Sequence, residues 1–101
     1  MASGFAALLT VELHFPEAGS LKGKRHFVRS AKDNLRNRFG ASVAEVDHHD
    51  LWQRSRMTMA VVRREHAETR RALADAERYL SAQEYELVGA TVTVLSVDGD
   101  L

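Results

Sequence analysis

Cysteine is absent from the 101-residue sequence. The chain can therefore form no disulfide, no thiolate metal site and no cysteine nucleophile. It also has no apolar run approaching the roughly 20 residues of a membrane-spanning helix, and its first residues lack the basic region and long apolar stretch of a signal peptide. These absences favour a cytoplasmic protein that makes no membrane contact.

The composition is that of a globular protein, with 45% hydrophobic and 28% charged residues. This balance excludes disordered and low-complexity classes. The length suits one core, and no segment has the composition of an interdomain linker. We expect residues 1–101 to form a single domain.

The hydrophobic pattern predicts six elements in the order β-α-β-β-α-β. Period-two alternation marks four strands, and helical periodicity marks two helices, the first preceded by Ser20 as N-cap and followed by Gly40. The predicted strands cover residues 5–15, 42–49, 54–62 and 87–96, and the helices cover residues 21–39 and 65–80. This order predicts an α+β, ferredoxin-like fold, with a four-stranded antiparallel sheet and both helices on one face.

Alternation also predicts which side chains face the helices. In the first strand they are Ala7, Leu9, Val11, Leu13 and Phe15. In the second they are Ala44 and Val46, which leaves Val43, Glu45 and Asp47 outward. In the last strand the series Val88, Ala90, Val92 and Val94 alternates with a second series that includes threonines. The outward positions of the first and third strands carry no phenylalanine, tyrosine or tryptophan on which bases could stack, which excludes binding in the manner of an RRM domain.

The stretch EVDHHDLWQR, residues 45–54, is the main candidate for chemistry. Adjacent histidines flanked by aspartates can ligate a metal or act as acid and base, but their spacing matches no familiar site. The favoured interpretation is a hairpin tip folded about Asp50 and Leu51, with Glu45 opposite Arg56 and Asp47 opposite Arg54. Trp52 is then expected to pack near the tip. An enzyme or metal site at Asp47–Asp50 stays a third hypothesis, and we predict no metal or other cofactor.

Charge is unevenly distributed although the net charge is zero. Residues 20–40 carry seven basic side chains and one acid, a local charge of +6. In the first helix most of these cations follow each other at helical spacing, whereas the charges of the second helix alternate in sign. The segment GSLKGKR is one residue short of a phosphate-binding loop, which excludes nucleotide hydrolysis of that type. The candidate RNA- or anion-binding residues are Lys22, Lys24, Arg25, Arg29, Lys32 and Arg36.

Two stretches, SLKGKRHFVRSAKDNLRNRFG and SVAEVDHHDLWQRS, resemble the bacterial YlxP-like family of small proteins of unknown function. The resemblance covers most of residues 5–62. It implies the same ferredoxin-like fold. The genes of this family often lie near those of transcription and translation factors, which implies a role near RNA or the ribosome. It implies no reaction.

The leading hypothesis is a non-enzymatic module that binds structured RNA, including ribosomal RNA, through the basic face of the first helix. The alternative is a structural or regulatory homo-oligomer with no nucleic-acid role, formed through the outward face of the sheet.

Overall fold

The computed structural model describes residues 4–98 and contains all six predicted elements in the predicted order. Their bounds are β1 Phe5–His14, α1 Leu21–Phe39, β2 Ser42–Asp47, β3 Arg54–Arg63, α2 His66–Ser81 and β4 Glu86–Ser96. The strands form a four-stranded sheet in the order β2-β3-β1-β4. Every neighbouring pair is antiparallel, and the two helices pack on the sheet and against each other. The α+β, ferredoxin-like prediction is confirmed.

The core lies between the helices and the alternate residues of the two central strands. Ala7, Leu9, Val11 and Leu13 of β1 are at most 2% exposed, as the alternation predicts. Met57, Met59 and Val61 of β3 lie beside them with the same degree of burial. Each large apolar side chain buried in this way stabilises the fold by about 1.5–3 kcal/mol, so these two strands fix which sheet face the helices cover.

Both ends of α1 have the predicted caps. The Ser20 hydroxyl accepts a hydrogen bond from the Gly23 amide at 3.1 Å. Gly40 follows the helix with φ 61°, and its amide donates to the Arg36 carbonyl at 3.0 Å. Arg63 of β3 donates to the carbonyl of Phe39, at the last turn, at 2.7 Å. These contacts satisfy backbone groups that a helix terminus otherwise leaves unpaired.

The predicted facing of β2 is wrong. Val43 is 8% exposed and faces the helices, whereas Val46 is 49% exposed. The pairing with β3 shifts between Glu45, opposite Met57, and Asp47, opposite Arg56. Glu45 consequently lies on the helix side. An extra residue of this kind breaks the period of two, and hydrophobicity alone did not separate the two faces of this short edge strand.

A second irregularity changes the predicted facing of β4. The register with β1 shifts so that Glu12 pairs with Gly89 but Leu13 pairs with Leu87. Val88 is the extra residue and is 55% exposed, while Leu87 packs on the core. The prediction that Val88 continues the inward series is therefore wrong, although Val94 packs against the core as predicted.

No helix within residues 4–98 is both long enough and apolar enough to cross a membrane.

Candidate nucleic-acid interface

A row of cations follows the solvent-facing side of α1. We name this set, Lys22, Arg25, Arg29, Lys32 and Arg36, the basic face. Lys32 is half-buried and the other four are exposed. The last four members also line an open groove of about 250 Å³, shared with Val28, Asp33 and Glu45. The helical spacing predicted this arrangement, which places several cations along one shallow depression.

Most of the basic face has no ion-pair partner among the described residues. Among residues 4–98, no carboxylate lies within ion-pair distance of Lys22, Arg25, Arg29 or Lys32. Arg36 differs, since its guanidinium lies 3.7 Å from Asp33 and donates to the Val43 carbonyl at 3.2 Å. Four adjacent unpaired cations create a local positive potential that favours an anionic partner.

On α2 the charges alternate in sign along the helix, as Glu68, Arg71, Asp75 and Arg78 follow one another about one turn apart. Arg78 pairs with Asp75 one turn away on the same helix. Arg38, near the end of α1, lies outside the basic face and stacks over the Tyr79 ring of α2 at 4.5 Å. Arginine over a tyrosine ring is a cation–π contact, which here joins the two helices.

Lys24 does not belong to the surface where the sequence placed it. Its side chain is 1% exposed. The ammonium donates to Glu45 Oε2 at 2.7 Å, to the His48 carbonyl at 2.6 Å and to the His49 carbonyl at 3.3 Å. An ammonium has three hydrogens, and each has an acceptor here. The prediction that Lys24 contacts an external anion is therefore wrong, because the protein already satisfies its charge.

Glu45 completes this buried pair. Its side chain is 14% exposed and also accepts a hydrogen bond from the hydroxyl of buried Ser55 at 2.6 Å. Burial raises the pKa of the Glu45 carboxyl, but the hydrogen bonds from Lys24 and Ser55 outweigh it, and the pKa lies below its ordinary value of 4.5. The predicted pairing of Glu45 with Arg56 on the outward face is wrong because the bulge in β2 turns Glu45 toward α1.

The histidine pair in EVDHHDLWQR shapes a turn. His48 has φ 66°, a left-handed conformation that is uncommon for residues other than glycine. Its amide donates to Asp47 Oδ1 at 2.7 Å, and its carbonyl accepts from Leu51 at 3.2 Å as well as from Lys24. The hydrogen bond from the His48 amide is the main reason why the pKa of Asp47 lies below its ordinary range.

Two further expectations for this turn are corrected. Asp47 pairs with Arg56 at 3.2 Å, not with Arg54. Trp52 is 54% exposed and does not belong to the buried core. Across residues 4–98, no group of three histidine, aspartate or glutamate side chains converges to hold a metal ion.

The outward face of the sheet holds an ionic network that the sequence analysis missed. Glu12 of β1 pairs with Arg56 of β3, and its Oε2 lies 3.6 Å from Arg54 and 3.5 Å from His48. That oxygen is buried and accepts no hydrogen bond from the residues described. The signal was available, since Glu12 and Arg56 are direct partners in the β1–β3 register.

Comparison with known proteins places this architecture in a family. The family model described as "Protein of unknown function (DUF503)" matches residues 6–92. The chain belongs to the DUF503 family. Among curated relatives, the uncharacterized protein YlxP of Bacillus subtilis (strain 168) is 33% identical over 57 residues, which are 56% of this chain and 62% of the relative. The match thus spans less than two thirds of the relative's length. The YlxP-like resemblance is confirmed.

A solved structure also resembles this DUF503 chain. It is a putative antibiotic biosynthesis monooxygenase from Bacillus cereus, with 13% sequence identity and a TM-score of 0.43 over 98% of this chain and 97% of the other.

Proposed function

We propose that this DUF503 protein is a non-enzymatic module that binds structured RNA through the basic face of α1, with ribosomal RNA as the expected class. The observation that carries the proposal is the set of four exposed or half-buried cations without a carboxylate partner among residues 4–98. Phosphate is the commonest macromolecular anion that such a row fits.

The geometry supports contact with the phosphate backbone more than with bases. Lys22 and Arg36 are separated by about 21 Å along the helix axis, at 1.5 Å per residue, with a cation about every turn between them. Such a row can follow a phosphate ridge, because backbone contacts need charge and shape but no base edge. On the outward sheet face, Thr10, Glu12, Arg56 and Thr58 offer no ring for base stacking.

Binding of a structured ribosomal RNA fragment, followed by fluorescence anisotropy over a range of salt concentrations, tests the proposal. Wild-type affinity should fall as salt rises, because each neutralised phosphate releases condensed counterion. The double variant Arg25→Ala/Arg29→Ala should bind more weakly. Its plot of log affinity against log salt should be shallower by roughly one for each phosphate that the variant no longer neutralises.

The matched control is Arg71→Ala/Arg78→Ala, which removes the same charge from exposed positions of α2. It should retain most of the affinity. Equal losses in the two double variants would mean that only net charge matters. If the wild-type protein does not bind ribosomal RNA even at low salt, the proposal is wrong.

A further inference from the structure

The sheet face opposite the helices carries a patch without ionisable side chains. Its residues follow from the strand registers and form three rows across the sheet. We name them the neutral rows: Val62, Ala6 and Leu95; then Ser42, Ala60, Leu8 and Thr93; then Ala44, Thr58, Thr10 and Thr91. Val62 is 67% exposed and Leu95 is 46% exposed. Both helices pack on the other face of the sheet, so no element within residues 4–98 covers the apolar row of Val62, Ala6 and Leu95.

The remainder of the same face is charged but internally compensated. Arg56 lies between Glu12 and Asp47, Arg54 lies near Glu12, and His14 contacts Glu86 at 2.5 Å. Two arginines thus meet two carboxylates, and His14 meets the third, Glu86, so no large potential of one sign remains. A highly charged partner would gain little here, whereas a second face of the same kind could approach without repulsion.

The size of the face suits a dimer. β1 and β3 have 10 residues each and β4 has 11. At about 3.3 Å per residue and 4.8 Å between strands, four strands cover about 600 Å². Two copies would bury about 1,200 Å² in total, which reaches the range of specific protein interfaces.

We propose that the open sheet face binds a second copy of this chain, with a twofold axis parallel to the strands. This axis places the neutral rows of one copy on those of the other. An in-plane axis perpendicular to the strands would instead place them on the charged end. Two sheets then pack face to face about 10 Å apart, with the helices outermost. The interface is isologous, so one substitution alters it twice.

Sedimentation analysis with three lysine substitutions tests the interface. We expect a wild-type dimer with a dissociation constant of about 10 µM or tighter. Val62→Lys and Leu95→Lys should each weaken the dimer at least about tenfold, because each brings two unpaired charges into an apolar contact. Val92→Lys is the matched control. Val92 is 45% exposed, nearly the same fraction as Leu95, but it pairs with buried Leu9 and thus lies on the opposite face of the sheet.

Cross-linking tests the orientation. Because the chain contains no cysteine, one introduced thiol is unique. Ala60 and its partner Leu8 lie on the two central strands, nearest the proposed axis. Ala60→Cys should therefore give a covalent dimer with a short bismaleimide, and Ala74→Cys, on the exposed side of α2, should not.

Three results would overturn the proposal: a wild-type monomer at every concentration, equal weakening by Val92→Lys and Leu95→Lys, or equal cross-linking of the two cysteine variants. Each readout is made without nucleic acid. The dimer and the RNA-binding proposal can therefore fail independently.

Discussion

Three lysines occur in the chain, all on α1, and their environments differ completely. Lys22 is exposed and Lys32 is half-buried, but Lys24 is buried against Glu45. Position 24 lies one turn from both Leu21 and Val28, on the inward stripe of the helix. That gap in the apolar stripe was the signal for a buried charge. The sequence could not supply the partner, because the bulge in β2 determines where Glu45 points.

Replacing Lys24 with methionine should lower the free energy of unfolding by about 2–3 kcal/mol, because it removes the cation that pairs with the buried Glu45 carboxylate and takes one donor from each of two carbonyls. Lys22→Met is the control and should change stability by less than about 0.5 kcal/mol. Urea unfolding measures both. Lys24→Met/Glu45→Leu should recover part of the loss, and similar losses in the two single variants would contradict the buried pair.

Glu45 should make stability depend on pH in the acid range. Because its folded pKa lies below the ordinary value of 4.5, its ionised form is favoured in the folded protein. The resulting stability is fully present above the unfolded pKa and is lost as the pH falls through the folded pKa. The stability difference between wild type and Glu45→Gln should therefore shrink below about pH 4. Urea unfolding at a series of pH values measures it, and a difference that grows on acidification would exclude this account.

At the scale of elements, prediction succeeded where several signals agreed. The bounds of α1 were predicted correctly because N-cap, apolar periodicity and terminal glycine all indicated the same helix. Strands β1 and β3 were predicted well because both are central and buried on one face. The edge strands β2 and β4 were predicted as strands, but each contains a bulge that alternation cannot reveal. Because the bulge in β2 shifts the pairing with β3, the ion-pair partners predicted for Glu45 and Asp47 were wrong.

The end of α1 offers a test of backbone conformation alone. A Cβ added at either Gly40 or Gly19 would meet no atom within 4 Å, but only Gly40 has a positive φ, of 61°. Gly40→Ala should therefore destabilise the protein by about 1–2 kcal/mol. Gly19→Ala should be neutral or slightly stabilising, because it restricts only the unfolded chain. Thermal unfolding distinguishes them, and equal shifts in Tm would show that α1 does not need the left-handed residue.

At the scale of the whole molecule, zero net charge conceals a separation of charge. The 14 basic and 14 acidic residues cancel, yet residues 20–40 alone carry +6. The outward face of the sheet, by contrast, carries carboxylates that pair with neighbouring cations, among them Glu12 and Asp47. Electrostatic behaviour should follow this distribution more closely than the net charge.

We therefore expect the protein to be retained on phosphocellulose at pH 7 and low salt, although its net charge there is zero. Arg25→Ala/Arg29→Ala should elute at lower salt than Arg71→Ala/Arg78→Ala, because the first pair belongs to the basic face. The two variants have the same net charge. Coelution would show that the separation of charge has no effect at this surface.

The burial of Lys24 has a kinetic consequence. An amine-reactive acylating reagent can reach Lys22 and Lys32 in the folded protein, but it can reach Lys24 only when α1 separates from the turn that holds His48 and His49. The acylation rate of this one amine, resolved by peptide mass spectrometry, therefore reports how often that corner of the molecule opens. Compared with the rate at Lys22, it gives the free energy of the opening that exposes Lys24.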